Sequence, residues 1–79
     1  MEHTIFQQMA DSWTAAVVAR TEIRAFTGGA INEKYMANLD SAGLGPKSRF
    51  KLGRKVIYAK ADLIEWLKSR SEVVTGRDK

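Results

Sequence analysis

The sequence predicts a small α+β domain, mostly α: two short helices joined by a tight glycine turn, a basic two-stranded β-hairpin, and a closing helix. Three observations carry this. Apolar residues recur at helical spacing in "NEKYMANLDSAG" and again in "ADLIEWLKSR". Between them, "RFKLGRKVIYA" alternates apolar and polar residues around Gly53-Arg54-Lys55. Gly28-Gly29, Gly43 and Gly45-Pro46 fall where helices must stop. At 79 residues, with 44% hydrophobic and 28% charged, the chain has the length and usage of one folded domain rather than a disordered tail.

In residues 1–13, Ile5, Phe6, Met9 and Trp13 recur at helical spacing. Two outcomes stay open for them: a frayed end, or an amphipathic turn that docks on the core or on a second copy. "TAAVVA", residues 14–19, is either a brief buried strand or an extended lead-in. In "RTEIRAFTGGAI", Thr21 is a good N-cap and Glu22 puts negative charge in the first turn, where the helix dipole favours it. Ile23 and Phe26 share a face, and Gly28 and Gly29 end the helix.

The second helix follows at once. Asn32 is its N-cap, with Ile31 before it as a staple against Met36. Tyr35, Met36, Leu39 and Ala42 form one stripe, and Lys34, Ala37, Asn38 and Ser41 the opposite face. Gly43 ends it. Helix, glycine turn and amphipathic helix make the outline of a helix-turn-helix unit.

For the hairpin, a two-residue Gly-Arg loop sets Leu52 opposite Lys55 and Phe50 opposite Ile57. A three-residue loop sets Leu52 opposite Val56 and Phe50 opposite Tyr58. The second puts four apolar residues on one face and the cations on the other, and is the expectation, because a buried face fixes register. Ile57 then falls on the outer face without a reason. In the closing helix Asp62 sits in the first turn, Leu63, Ile64, Trp66 and Leu67 supply the apolar stripe, and Lys68 and Arg70 suit the C-terminal dipole. The organisation expected is an N-terminal segment at 1–13, a core domain at 14–70 and a polar, fraying tail at 71–79.

Charge is unevenly placed. The net charge is +4, yet residues 1–46 carry three bases against five acids, and residues 61–79 carry four of each. The whole excess lies in residues 47–60, with six bases (Lys47, Arg49, Lys51, Arg54, Lys55, Lys60) and no acid. Such density focuses a positive potential and attracts polyanions. The absence of cysteine excludes disulfide scaffolds and thiolate metal sites. With one histidine, His3, read as an exposed and mobile terminal side chain, no nucleophile–base pair or metal cluster is in view. "TGGA" lacks the Gly-Lys-Ser/Thr ending of a phosphate loop. An enzyme is therefore not expected, and no cofactor or metal. No apolar run approaches the roughly 20 residues of a membrane span, and the N-terminus lacks a secretory pattern, so a soluble, cytoplasmic protein with no membrane contact is expected.

From about Val18 to Arg70 the chain resembles the MerR-like winged helix-turn-helix domains of phage excisionases and small prophage regulators. The resemblance lies in "INEKYMANLDSAGLGP", like a recognition helix running into the Gly-x-Gly-Pro that starts the wing, and in "FKLGRKVIYAKADLIEWL". It implies a second helix in the major groove and a hairpin wing along the backbone or minor groove. Two departures stand out. Relatives often place arginines on the recognition helix, where this one has Lys34 and an acid, Glu33. The first dozen residues also have no clear counterpart in that family.

The physical case for duplex DNA stands beside the resemblance. Asn38 suits bidentate pairing with adenine and Lys34 suits guanine, while Asn32 and Tyr35 serve phosphates or base edges. Lys47, Arg49, Lys51, Arg54 and Lys55 neutralise phosphates, giving affinity and register but little sequence information. Arg54, at the hairpin tip, is the candidate for a narrow minor groove. Each has a plainer alternative. A basic run can be only a solvated face, Tyr35 a core residue, and Asn38 an ordinary surface residue. Glu33 is read as serving the dipole, and Phe50, Tyr58 and Trp66 as core. The expected function is sequence-specific binding of double-stranded DNA, by an excisionase-like recombination directionality factor or by a prophage transcriptional regulator. An integrase or RNA polymerase is the expected protein partner, with a homo-oligomer on DNA. The alternatives are a protein-interaction module using Ile5, Phe6, Met9 and Trp13, or a sequence-tolerant binder of RNA or another polyanion. The DNA expectation requires that the hairpin's cations and the outer side of the second helix face the same way.

Overall fold

The helical spacing at the N-terminus forms a helix, α1 (Glu2–Ser12). The chain then extends through β1 (Val17–Ala19), passes a 3-10 turn (Arg20–Glu22) and enters α2 (Ile23–Phe26) and α3 (Glu33–Ser41). The hairpin is β2 (Phe50–Leu52) and β3 (Lys55–Ala59), running directly into α4 (Lys60–Arg70). This computed structural model describes residues 2–72, with side chains from residue 5 onward. The expectations for the His3 side chain and for the tail beyond residue 72 lie outside the described residues. The described chain is a small α+β domain of four α-helices and one antiparallel sheet.

The sheet has three strands in the order β1-β3-β2, not the two of an isolated hairpin. Val18 pairs with Tyr58, and both are fully buried against the helices. "TAAVVA" is thus a strand at its C-terminal end: Val17, Val18 and Ala19 complete the other side of β3. The core gathers Phe6, Val18, Ile23, Phe26, Met36, Tyr58, Leu63, Ile64 and Trp66, drawing on α1, β1, α2, α3, β3 and α4. Burying each of these large side chains contributes about 1.5–3 kcal/mol, so a core this small depends on all of them.

The hairpin register differs from the expectation. Phe50 pairs with Ile57, Lys51 with Val56 and Leu52 with Lys55, around a two-residue Gly53-Arg54 loop. Turn chemistry decided this. Gly53 has φ +64°, and among the described residues no non-glycine residue has positive φ. A glycine first in a two-residue loop suits the type II′ turn, whose twist matches the strands. A three-residue loop would have put the left-handed conformation on Lys55, where a Cβ disfavours it. Face matching misled because the outer face is not buried. Val17, Phe50 and Leu52 lie on it and stay exposed, Phe50 by 53% and Leu52 by 68%. Phe50 is therefore not core, and Ile57 lies on the same outer face, opposite Phe50 and Ala19. Lys51 projects from the other face, shared with Val56, Tyr58 and Val18, which packs on the helices.

One helix start differs from the expectation and one agrees with it. Thr21 caps nothing: it lies inside the 3-10 turn, which begins at Arg20 straight from β1, and α2 starts from Glu22 without a side-chain cap bond. Thr27 does the local bonding instead, its hydroxyl donating to the Ile23 carbonyl (2.9 Å) and accepting the Ile31 N–H (3.1 Å). At α3 the expected cap is present, with Asn32 Oδ1 accepting from the Tyr35 N–H at 2.8 Å. Gly43, at φ +78°, ends that helix as expected.

α1 is docked rather than frayed at the residues described. It packs against α4, with Phe6 buried and Met9, Ala10 and Trp13 against the core. Lys60 fastens it: its Nζ donates to the carbonyls of Ala10 (2.9 Å) and Trp13 (2.6 Å), the open end of the helix. Trp13 meets Phe26 edge to face and donates Nε1–H to the Val17 carbonyl at 3.0 Å. Only Ile5 of the apolar N-terminal set remains broadly exposed.

Candidate nucleic-acid interface

The centre of the polar architecture is Asp40, a residue the sequence did not single out. It sits near the end of α3 with its side chain 3% exposed. Arg20 Nη2 contacts its Oδ2 at 2.6 Å, and the Tyr58 hydroxyl donates to the same oxygen at 2.5 Å. Arg20 Nε donates to the Tyr58 oxygen at 3.0 Å, closing a triangle. Arg49 completes the set from the other side, with Nη1 3.4 Å from Asp40 Oδ1 and donating to the Asp40 carbonyl at 3.2 Å. One buried carboxylate is thereby shared between two guanidiniums, which leaves a net positive charge. Burial pushes the Tyr58 hydroxyl up to about 12, against the opposing hydrogen bond from Arg20. For Arg20, desolvation pulls downward, but the bonds to Tyr58 and Asp40 outweigh it and hold the guanidinium above its ordinary value.

This network fixes the hairpin to α3. Arg49 stands immediately before β2, so its bond to the Asp40 carbonyl ties the hairpin base to the C-terminal turn of α3. Gly45 lets the loop pass over Asp40, because a Cβ there would overlap the Asp40 carboxylate. The same loop is held from α4. Ser48 donates to Asp62 Oδ2 at 2.5 Å, and Trp66 Nε1 donates to the Leu44 carbonyl at 2.9 Å. Neither Asp62 nor Trp66 announced these partners in sequence.

The expected site residues divide into two sets. Lys34 and Asn38 are exposed on α3, and Asn38 makes no side-chain hydrogen bond among the described residues. Lys47, Lys51, Arg54 and Lys55 are exposed on and before the hairpin, and none of them forms an ion pair among the described residues. The other three are partly engaged. Asn32 spends its oxygen on the α3 cap. Arg49 is bound to Asp40 yet remains half-exposed. Tyr35 is not core: it is 43% exposed, and its hydroxyl accepts from Arg70 Nη2 at 3.4 Å. Tyr58 and Trp66 are buried as expected, with the Arg70 guanidinium 5.2 Å over the Trp66 ring.

Sequence reasoning passed over Arg20 and Arg24, because residues 1–46 are acidic on balance. They line a groove with Asn32, Glu33 and Lys34 between α2 and α3. Spacing offered no signal, since the groove joins positions on separate elements. Lys47 and Arg49 meet Asp40, Gly43 and Pro46 in a second hollow at the far end of α3. Cations thus flank α3 at both ends. Among the described residues, no His, Cys, Asp or Glu cluster is placed to hold a metal, and no helix is long and apolar enough to cross a membrane. No family model, curated protein or solved structure matches the chain.

Proposed function

We propose that this chain binds double-stranded DNA in a sequence-specific way, as a winged helix-turn-helix domain similar to the MerR-like excisionases and small prophage regulators. In this proposal α3 enters the major groove and the β2–β3 hairpin is the wing, on the backbone or minor groove. One observation carries it: four exposed cations, without an ion pair among the described residues, lie on or just before a hairpin whose base is bonded to the end of α3. A protein has no stability reason to gather unpaired like charges, whereas a polyphosphate neutralises them and releases its counterions. Lys51 projects from the helix-facing side of the sheet, the side of α3, while Lys55, paired with Leu52, projects from the outer face. The expected gathering of the cations on one face therefore does not hold for Lys55. α1 packs on α4 rather than across α3. The chemistry assigned is positioning by Lys47, Lys51, Arg54 and Lys55, and base reading by Asn38.

Either an excisionase, recruiting an integrase beside an attachment site, or a regulator, meeting RNA polymerase at a promoter, uses such a scaffold. The rival reading, an apolar N-terminal docking module, has lost most of its patch to the core, since Phe6 is buried and Met9 and Trp13 pack against it. Selection of bound genomic fragments separates the two DNA roles. The binding mode is tested by Arg54→Ala/Lys55→Ala, which should weaken every duplex alike, and Asn38→Ala, which should chiefly relax discrimination. Unaltered duplex affinity in the hairpin variant would remove the proposal.

A further inference from the structure

We infer that the groove between α2 and α3 seats a backbone phosphate of the bound duplex, gripped by Arg24 and Lys34 and anchored by Arg20. The inference rests on the DNA proposal above and adds a contact point away from the wing. The groove measures about 490 Å³ and collects three cations, with Glu33 the one acid among its lining residues. Arg24 stands on α2 and Lys34 on α3, so the two approach from opposite walls. Both are exposed, and neither forms an ion pair among the described residues. Mutual repulsion of three cations in one hollow is relieved by an anion between them.

Arg20 gives the groove its rigidity. Its Nε and Nη2 are committed to Tyr58 and Asp40, and its side chain is 21% exposed. A guanidinium carries five N–H donors in a rigid plane, so the Nη1 pair remains for a ligand. Because Asp40 and Tyr58 already hold the plane, little conformational entropy is lost when an anion binds. Asp40 also divides its single charge between Arg20 and Arg49, so Arg20 keeps part of its positive field. Asn32 contributes similarly. Its oxygen faces the Tyr35 N–H as the α3 cap, which leaves its amide N–H₂ as a fixed donor beside the groove. Lys34 and Asn32 are then backbone contacts, and base reading falls to Asn38.

The test is the double variant Arg24→Ala/Lys34→Ala, titrated into a labelled duplex chosen by genomic selection and into a scrambled one. Thermal unfolding checks that the fold is retained, as both side chains lie at the surface. The expected result is an equal loss on both duplexes, about tenfold or more at low salt. The slope of log affinity against log salt should become shallower by about 1, since the one phosphate seated contributes about 0.9. Unchanged affinity and slope, with Arg54→Ala/Lys55→Ala still impaired, would overturn the groove and leave the DNA proposal standing. A loss confined to the selected sequence would mean that Lys34 reads a base, which also overturns it. Failure of the unaltered protein to bind either duplex would overturn both.

Discussion

Replacing Tyr58 by Phe isolates the polar triangle at the heart of the domain. The substitution keeps the ring that fills the core and removes one hydroxyl, which donates to Asp40 Oδ2 at 2.5 Å and accepts from Arg20 at 3.0 Å. Asp40 keeps Arg20, but its other oxygen has no hydrogen-bond partner to compensate. A hydrogen bond to a charged group is worth about 1.5–3 kcal/mol, so a loss of about 2 kcal/mol is expected at neutral pH. For a chain of this size that lowers the melting temperature by about 10 °C. The effect has a pH signature. The hydroxyl is raised from 10.0 to about 12 in the fold, chiefly by burial. A raised pKa means the folded state holds the proton more tightly than the unfolded chain. Its contribution is therefore complete below pH 10 and disappears as the pH climbs through about 12. At about 1.4 kcal/mol for each pH unit of the difference, roughly 2–3 kcal/mol is lost across that window. Urea unfolding at neutral and alkaline pH measures it. The unaltered protein should lose that stability, the variant should lose much less, and the gap between them should close at the alkaline end. A variant as stable as its parent at neutral pH, or a parallel alkaline decline in both, would refute the triangle as a stabilising unit.

Three further outcomes follow from the same contacts. Gly45→Ala should destabilise by about 1–3 kcal/mol, because its Cβ would overlap the Asp40 carboxylate, and chemical unfolding reads this directly. Lys60→Met should free the end of α1 while keeping α4 apolar contacts. Amide hydrogen exchange should then quicken in residues 5–12 with little change in α3. Gly53→Ala should cost about 1–2 kcal/mol by forcing a Cβ into a left-handed turn at φ +64°, and should leave duplex discrimination unaltered.

What was legible in the sequence was what neighbouring residues decide among themselves. The α3 helix could be read from end to end, because its cap, Asn32, and its stop, Gly43, act within a turn of the helix. The stripe of α4 was legible for the same reason, and Leu63, Ile64 and Trp66 are buried. The hairpin was visible but its register was not. Alternation predicted it only if one face was covered, and Phe50 and Leu52 stand in solvent while Gly53 set the turn. The Asp40 network was invisible. It joins Arg20, Asp40, Arg49 and Tyr58 from four separate segments, and each looks ordinary in isolation. α1 was half legible: its apolar spacing was plain, but the lysine that holds it lies 50 residues away from Ala10. Of the candidate interface, the hairpin cations could be named from composition, whereas the Arg20–Arg24–Lys34 groove needed the fold.

The central claim is that the hairpin cations and α3 meet one duplex together. Titrating the protein with duplex DNA at low salt, while following backbone amide shifts residue by residue, tests this most directly. Amides of residues 32–38 and 47–55 should move together, saturate at the same ratio, and return when salt is raised. Silent amides in the hairpin, or shifts confined to α1 and α4, would contradict it.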